Sequence, residues 1–175
     1  MKRLSLGSVL LCGIVLAGCG GKFQTVSVSP FTGTQQAFSE ASIQITDGTA
    51  DTDSEQIATV VALLREKLRT QLADQSVTVS DAGKGLQIGV HITELRRVSQ
   101  MRRILLGVFA GRAKIVAEVS FTDGGGNLLG EYTVTGTSHG SMGSGLSETE
   151  VALDKFSKGV GALVAELRQA GPETQ

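Results

Sequence analysis

Beyond residue 19 the chain contains no cysteine: Cys12 and Cys19 are its complete set. If the first 18 residues are removed and the remaining thiol is modified, no disulfide, thiolate metal site or cysteine nucleophile can form, and the fold must stand on its packed core. Histidine is nearly as scarce. His91 and His139 are the only two, and neither has a second histidine or a carboxylate at metal-binding spacing. No metal or cofactor is expected. Phosphate cradles are missing too, since Gly107, Gly111, Gly143 and Gly145 do not fall at P-loop or dinucleotide spacing. Nor is there an excess of positive charge. The formal net charge of −1 becomes −3 once Lys2 and Arg3 are removed, which argues against general binding of nucleic acid or anionic lipid.

What is present begins at the N-terminus. Lys2 and Arg3 precede an apolar run from Leu4 to Leu16 that is too short for a permanent membrane span. The run ends in Leu16-Ala17-Gly18-Cys19, which resembles the lipobox of bacterial lipoproteins. That resemblance implies cleavage before Cys19 and acylation of its thiol, the strongest nucleophile available at that place. Each buried methylene contributes roughly 0.8 kcal/mol, so a diacylglyceryl group anchors the chain without a transmembrane helix. Gly20 and Gly21 lack the Asp that retains many such lipoproteins in the inner membrane. The expected address is therefore the outer membrane, lipid-anchored and facing the periplasm.

Four segments are expected: a signal peptide at 1–18, a lipidated cysteine with a flexible tether at 19–40, one α+β domain at 41–170, and a disordered tail at 171–175. The tether is rich in Gly, Ser, Thr and Gln, and about 20 flexible residues have an r.m.s. span of roughly 25 Å. Thr25 to Ser29 alternates briefly, so a short edge strand there is the competing reading.

Within the domain, Ile43 and Ile45 alternate before the turn signal Asp47-Gly48. Ile57, Val60, Val61, Leu64, Leu68 and Leu72 recur at helical spacing over about Ser54 to Gln75. Thr52 with Glu55, or Asp53 with Gln56, offers a cap. Ser76 to Ser80 alternates weakly. Leu86, Ile88, Val90 and Ile92 form one face of a strand whose alternation slips at Glu94-Leu95, a bulge or a strand end. Ile115, Ala117, Val119 and Phe121 face the same way on the next strand. Asp123-Gly124-Gly125-Gly126-Asn127 then turns the chain toward a strand marked by Leu128, Tyr132 and Val134. Ser147 and Glu150 have capping-box spacing before a helix striped with Ala152, Phe156, Val160, Leu163, Val164 and Leu167. The expected fold is a two-layer α+β sandwich, a mixed sheet of about four to five strands with two amphipathic helices on one face.

Gly136-Thr137-Ser138-His139-Gly140 matches G-x-S-x-G, the spacing of a nucleophile elbow. Its context is wrong, because Gly143, Ser144 and Gly145 intervene before the helix and the only later histidine adjoins the serine. The stretch reads as a loop. Glu118 and Glu131 could lie across the hairpin as a carboxylate pair, although solvated strand residues are the commoner case. The most distinctive segment runs from Arg96 to Arg112. Arg102, Arg103, Ile104, Leu105, Phe109 and Arg112 mix arginines with a short apolar run, either a partner-binding patch or a crossover that finishes the core.

That segment, continued through Ala113 to Asp123 and the Gly126-Asn127-Leu128-Leu129-Gly130 turn, resembles the small bacterial lipoproteins of domain-of-unknown-function family forty-four-ten. The resemblance covers roughly Ile43 to Leu167 and implies an envelope lipoprotein with no assigned activity and no catalytic residues to carry over. The order of elements is also similar to the periplasmic domain of the curli secretion lipoprotein, although no long alternating hairpins are available to build a barrel. The expected function is a non-enzymatic, lipid-anchored binding or adaptor module. It would contact the membrane through acyl chains on Cys19 and either an envelope protein or another copy of itself, with no nucleic acid and no small-molecule substrate. A self-assembling accessory of an envelope secretion system is the alternative, and a hydrolase built on Ser138 or on Glu118 with Glu131 is the weaker one.

Overall fold

The apolar stripes of the sequence need one shared interior, and the computed structural model shows how they find it. It describes residues 22–31, 38–49, 54–81, 85–97, 112–138 and 147–169. The elements are β1 (Lys22–Ser29), β2 (Glu40–Asp47), α1 (Ser54–Ala73), β3 (Thr78–Val79), β4 (Leu86–Arg96), β5 (Lys114–Thr122), β6 (Leu128–Thr137) and α2 (Glu148–Gln169). The strands form one six-stranded sheet in the order β1-β6-β5-β4-β2-β3. β2 runs parallel to β3 and β4, and the other pairings are antiparallel. This is the expected two-layer α+β sandwich, with one strand more than the sequence suggests.

The core lies between one sheet face and the two helices. Ile88, Val90, Ile92, Ile115, Ala117, Val119 and Phe121 are buried at alternate positions, facing Leu64, Leu68 and Leu72 of α1 and Phe156, Val160 and Val164 of α2. The period of two in the strands and the three- and four-residue spacing in the helices meet in that layer. α2 starts as its sequence requires: Ser147 N donates to Glu150 Oε2 at 2.6 Å, and Glu150 N donates to Ser147 Oγ at 3.2 Å. The two bonds close a capping box. The pairs proposed to cap α1 include Thr52 and Asp53, which lie outside the described residues.

The slip at Glu94 is a bulge, not an end. The β4–β5 register shifts between Ile92 and Glu94, and pairing continues to Arg96↔Lys114. Leu128 opens β6 but is 52% exposed, and Leu129 takes the buried place.

The larger departure concerns the tether, because residues 22–29 form a strand. β1 pairs with β6 from Lys22↔Thr137 to Ser29↔Glu131, with a bulge between Ser27 and Ser29. Val26 and Val28 do not touch the core, being 60% and 61% exposed. Aromatic residues near its two ends hold the strand. Phe23 is half-buried against α2 near Gly159. Phe31, after Pro30, lies 5.4 Å from Phe121 and 4.8 Å from Tyr132, centroid to centroid. Phe31 N also donates to the Tyr132 hydroxyl at 3.1 Å.

Candidate functional site

Ser138 is the residue that a motif search singles out, and the geometry gives it a structural task. It follows directly on β6 and is 0% exposed. Its N–H donates to Ala113 O at 3.0 Å, and its Oγ accepts from Ala113 N at 2.9 Å. These bonds extend the β5–β6 ladder one residue past Lys114↔Thr137 and clip together the segments that flank it. A hydroxyl held this way, without access to solvent, is closed to a substrate. The first glycine of the motif has its own reason: a Cβ on Gly136 would lie 2.3 Å from Ala152 O and 2.6 Å from Phe156 N of α2. Here the helix backbone crosses directly on the strand. His139 and Gly140 lie outside the described residues.

The sheet face away from the helices is open. Its central row is set by register: Val26 on β1 pairs with Thr133, Thr133 with Glu118, Glu118 with His91, and His91 with Thr46. His91 is tied at the β2 side, with Nδ1 3.0 Å from Thr46 Oγ1. The next row brings Glu131 opposite Ser120 and Ser120 opposite Gly89. Glu118 and Glu131 are thus diagonal neighbours rather than directly opposed. With His91 they line a shallow depression of about 220 Å³ that also includes Gln44, Thr46 and Ser120. Among the described residues, no group of three or more His, Cys, Asp or Glu side chains is placed to hold a metal ion.

The end of the sheet nearest the N-terminus of β1 carries the cations that sequence reading scattered. Lys22↔Thr137, Thr137↔Lys114 and Lys114↔Arg96 form one cross-strand row. Arg97 and Arg112 lie one and two residues beyond it along the chain. Lys22, Arg96, Arg97 and Arg112 are exposed, and Lys114 is paired with Glu94 at 2.7 Å. Arg97 also donates to Gln56 Oε1 of α1. Net charge conceals this row, and Lys22 joins it across a sequence separation of 115 residues. Of the patch read from the sequence, only Arg112 is described. Cys19, Arg102, Arg103, Ile104, Leu105 and Phe109 lie outside the described residues. No described helix is long and apolar enough to cross a membrane.

Two carboxyls are held below their ordinary range. Asp123 accepts from Asn127 Nδ2 and N, both at 2.9 Å, and from Gly125 N at 2.8 Å, which favours its charged form at the tip of the β5–β6 hairpin. Glu150 is lowered by the backbone N–H and the hydroxyl of Ser147. Burial raises the Tyr132 hydroxyl, against the hydrogen bond from Phe31.

The chain is similar to the PelC dodecamer from Paraburkholderia phytofirmans in space group C2, at 13% identity and a TM-score of 0.48 over 87% of this chain and 99% of that chain. The P6 form of that dodecamer gives 15% identity and 0.46 over 82% and 96%. A minor lipoprotein from Acinetobacter baumannii gives 13% and 0.43 over 75% and 94%. Similarity at this level carries nothing about activity or assembly. No curated protein matches the sequence. The family model described as "Domain of unknown function (DUF4410)" matches residues 34–140, and the chain belongs to that family.

Proposed function

We propose that the protein is a lipid-anchored envelope protein, acylated on Cys19 at the outer membrane and facing the periplasm, whose domain binds another envelope protein and catalyses no reaction. The observation that carries the binding role is the outer edge of β1. Among the described residues no strand pairs with it, although it presents eight residues of extended backbone. Val26 and Val28 are exposed there. An open edge with apolar side chains is a standing template for an added strand, and the bulge at Ser27/Ser29 limits its length. The arginine and apolar residues Arg102, Arg103, Ile104, Leu105, Phe109 and Arg112 are a second candidate contact. The burial of Ser138 argues against a serine hydrolase, and the openness of the face holding Glu118 and Glu131 gives a carboxylate pair nothing to exclude water with.

The same edge also favours self-association through paired β1 strands. One experiment separates the two readings. A photo-crosslinking amino acid is placed at Val26, at Val28 and, as a control, at exposed Asp74. Adducts to a different envelope protein from positions 26 and 28 but not 74 support the adaptor. Adducts at twice the chain's own mass promote self-assembly. An edge that crosslinks no more than Asp74 contradicts both.

A further inference from the structure

We propose that the cationic end of the sheet is seated on anionic phospholipid headgroups, so that the domain stands on its membrane in one orientation. The inference rests on acylation of Cys19 as proposed above and goes on to say which end of the molecule meets the lipid.

Only Gly20 and Gly21 separate Cys19 from Lys22, the first residue of β1. Three residues fully extended reach at most about 11 Å. An acylated Cys19 lies at the membrane surface, so the start of β1 is held within that distance of the headgroups. β1 is locked in register along β6, and whatever shares its end of the sheet is brought down with it.

What shares that end is positive. Lys22, Lys114 and Arg96 stand in one row across four adjacent strands, about 14 Å wide at the usual strand spacing. Arg97 and Arg112 extend it. The opposite end of the sheet carries Glu40, Asp81 and Asp123, about 30 Å away along the nine residues of β5. The sheet layer is therefore polar along its strands, cations at the anchor and carboxylates at the far end. Against the five cations Lys22, Arg96, Arg97, Arg112 and Lys114, two acids share that end of the sheet layer. Glu94 is paired with Lys114, and Asp47 accepts from Thr49 N and Oγ1 in its own turn. Glu148 is buried, Glu150 is occupied in the capping box, and Glu55 lies on α1. Those last three belong to the helix layer, so the sheet layer is the side that settles on lipid.

Screening makes the short link decisive. At physiological salt, the field of a charged surface decays over about 8 Å. A 20-residue tether with its roughly 25 Å span would leave the arginines outside that range. A link of three residues, at most about 11 Å long, lets them settle within it. A chain with net negative charge can thus dock on an anionic surface, because the attraction is set by the cations within a screening length and not by the total.

The test uses the mature acylated protein in vesicles of phosphatidylcholine with or without phosphatidylglycerol. No other cysteine is present beyond Cys19, so Gln24→Cys and Leu128→Cys each accept one fluorescent label. Energy transfer to headgroup-labelled lipid reads their heights. With phosphatidylglycerol, the label at 24 should lie roughly 20 Å closer to the bilayer than the label at 128. The difference should shrink in pure phosphatidylcholine and in 1 M NaCl, where screening falls to about 3 Å. Arg96→Glu with Arg112→Glu should abolish it while the protein stays on the vesicles. Equal heights in phosphatidylglycerol, or a height difference indifferent to lipid charge and salt, would overturn the proposal. An unacylated protein that never enters the vesicle fraction, with an intact mass lacking the lipid, is instead a failure of the anchor.

Discussion

Ser138 and Gly136 show how a catalytic pattern can be assembled from structural necessities. The serine closes the ladder beyond β6, and the glycine admits the backbone of α2. Ser138→Ala leaves the buried Ala113 N–H without its acceptor, at a cost of about 1–3 kcal/mol in urea unfolding. Gly136→Ala forces a methyl against Ala152 O and should cost about 1–3 kcal/mol or shift α2 outright. Neither substitution should alter membrane attachment. A Ser138→Ala variant as stable as the parent would show that the clip contributes nothing.

The elements differ in how far the sequence discloses them. α1 and α2 were legible because their buried residues recur every three or four positions, and the Ser147/Glu150 box marked a start that the hydrogen bonds reproduce. β4, β5 and β6 were legible from alternation. β1 was legible only as the competing reading at Thr25 to Ser29, because an edge strand with an open outer face and a bulge has few inward positions. The nearness of Glu118 and Glu131 was legible from their hairpin, whereas the cationic row and the place of His91 beside Glu118 depend on registers between strands. Periodicity within a segment carries no record of them.

Phe31→Ala, which removes the ring packed on Phe121 and Tyr132, should cost about 2–4 kcal/mol in chemical unfolding. If 19–40 were a free tether, the substitution would cost nothing. Acid should loosen two of the turns. Asp123 and Glu150 are both depressed from ordinary values of 3.8 and 4.5. A lowered folded-state value means stability that is complete above the unfolded value and lost as pH falls through the folded one. Hydrogen exchange should show the 123–127 turn and the first turn of α2 loosening as pH drops below about 4.5. Protection that holds or rises through that range would contradict the assignment.

At the scale of the whole molecule, a packed two-layer domain begins its first strand three residues after the cysteine read as the anchor, and presents an unpaired strand edge. Under the proposed function, that anchor and this edge would hold the protein close to its membrane with one side offered to a partner. Replacing Val26 with Asp should weaken capture at that edge without unfolding the domain, since the side chain is exposed. The most direct test is native mass spectrometry of the protein extracted gently from its own membranes. The expected species is a chain beginning at an acylated Cys19 and bound to a second envelope protein that is lost in Val26→Asp. An unacylated chain, or an acylated monomer with no companion in either form, would contradict it.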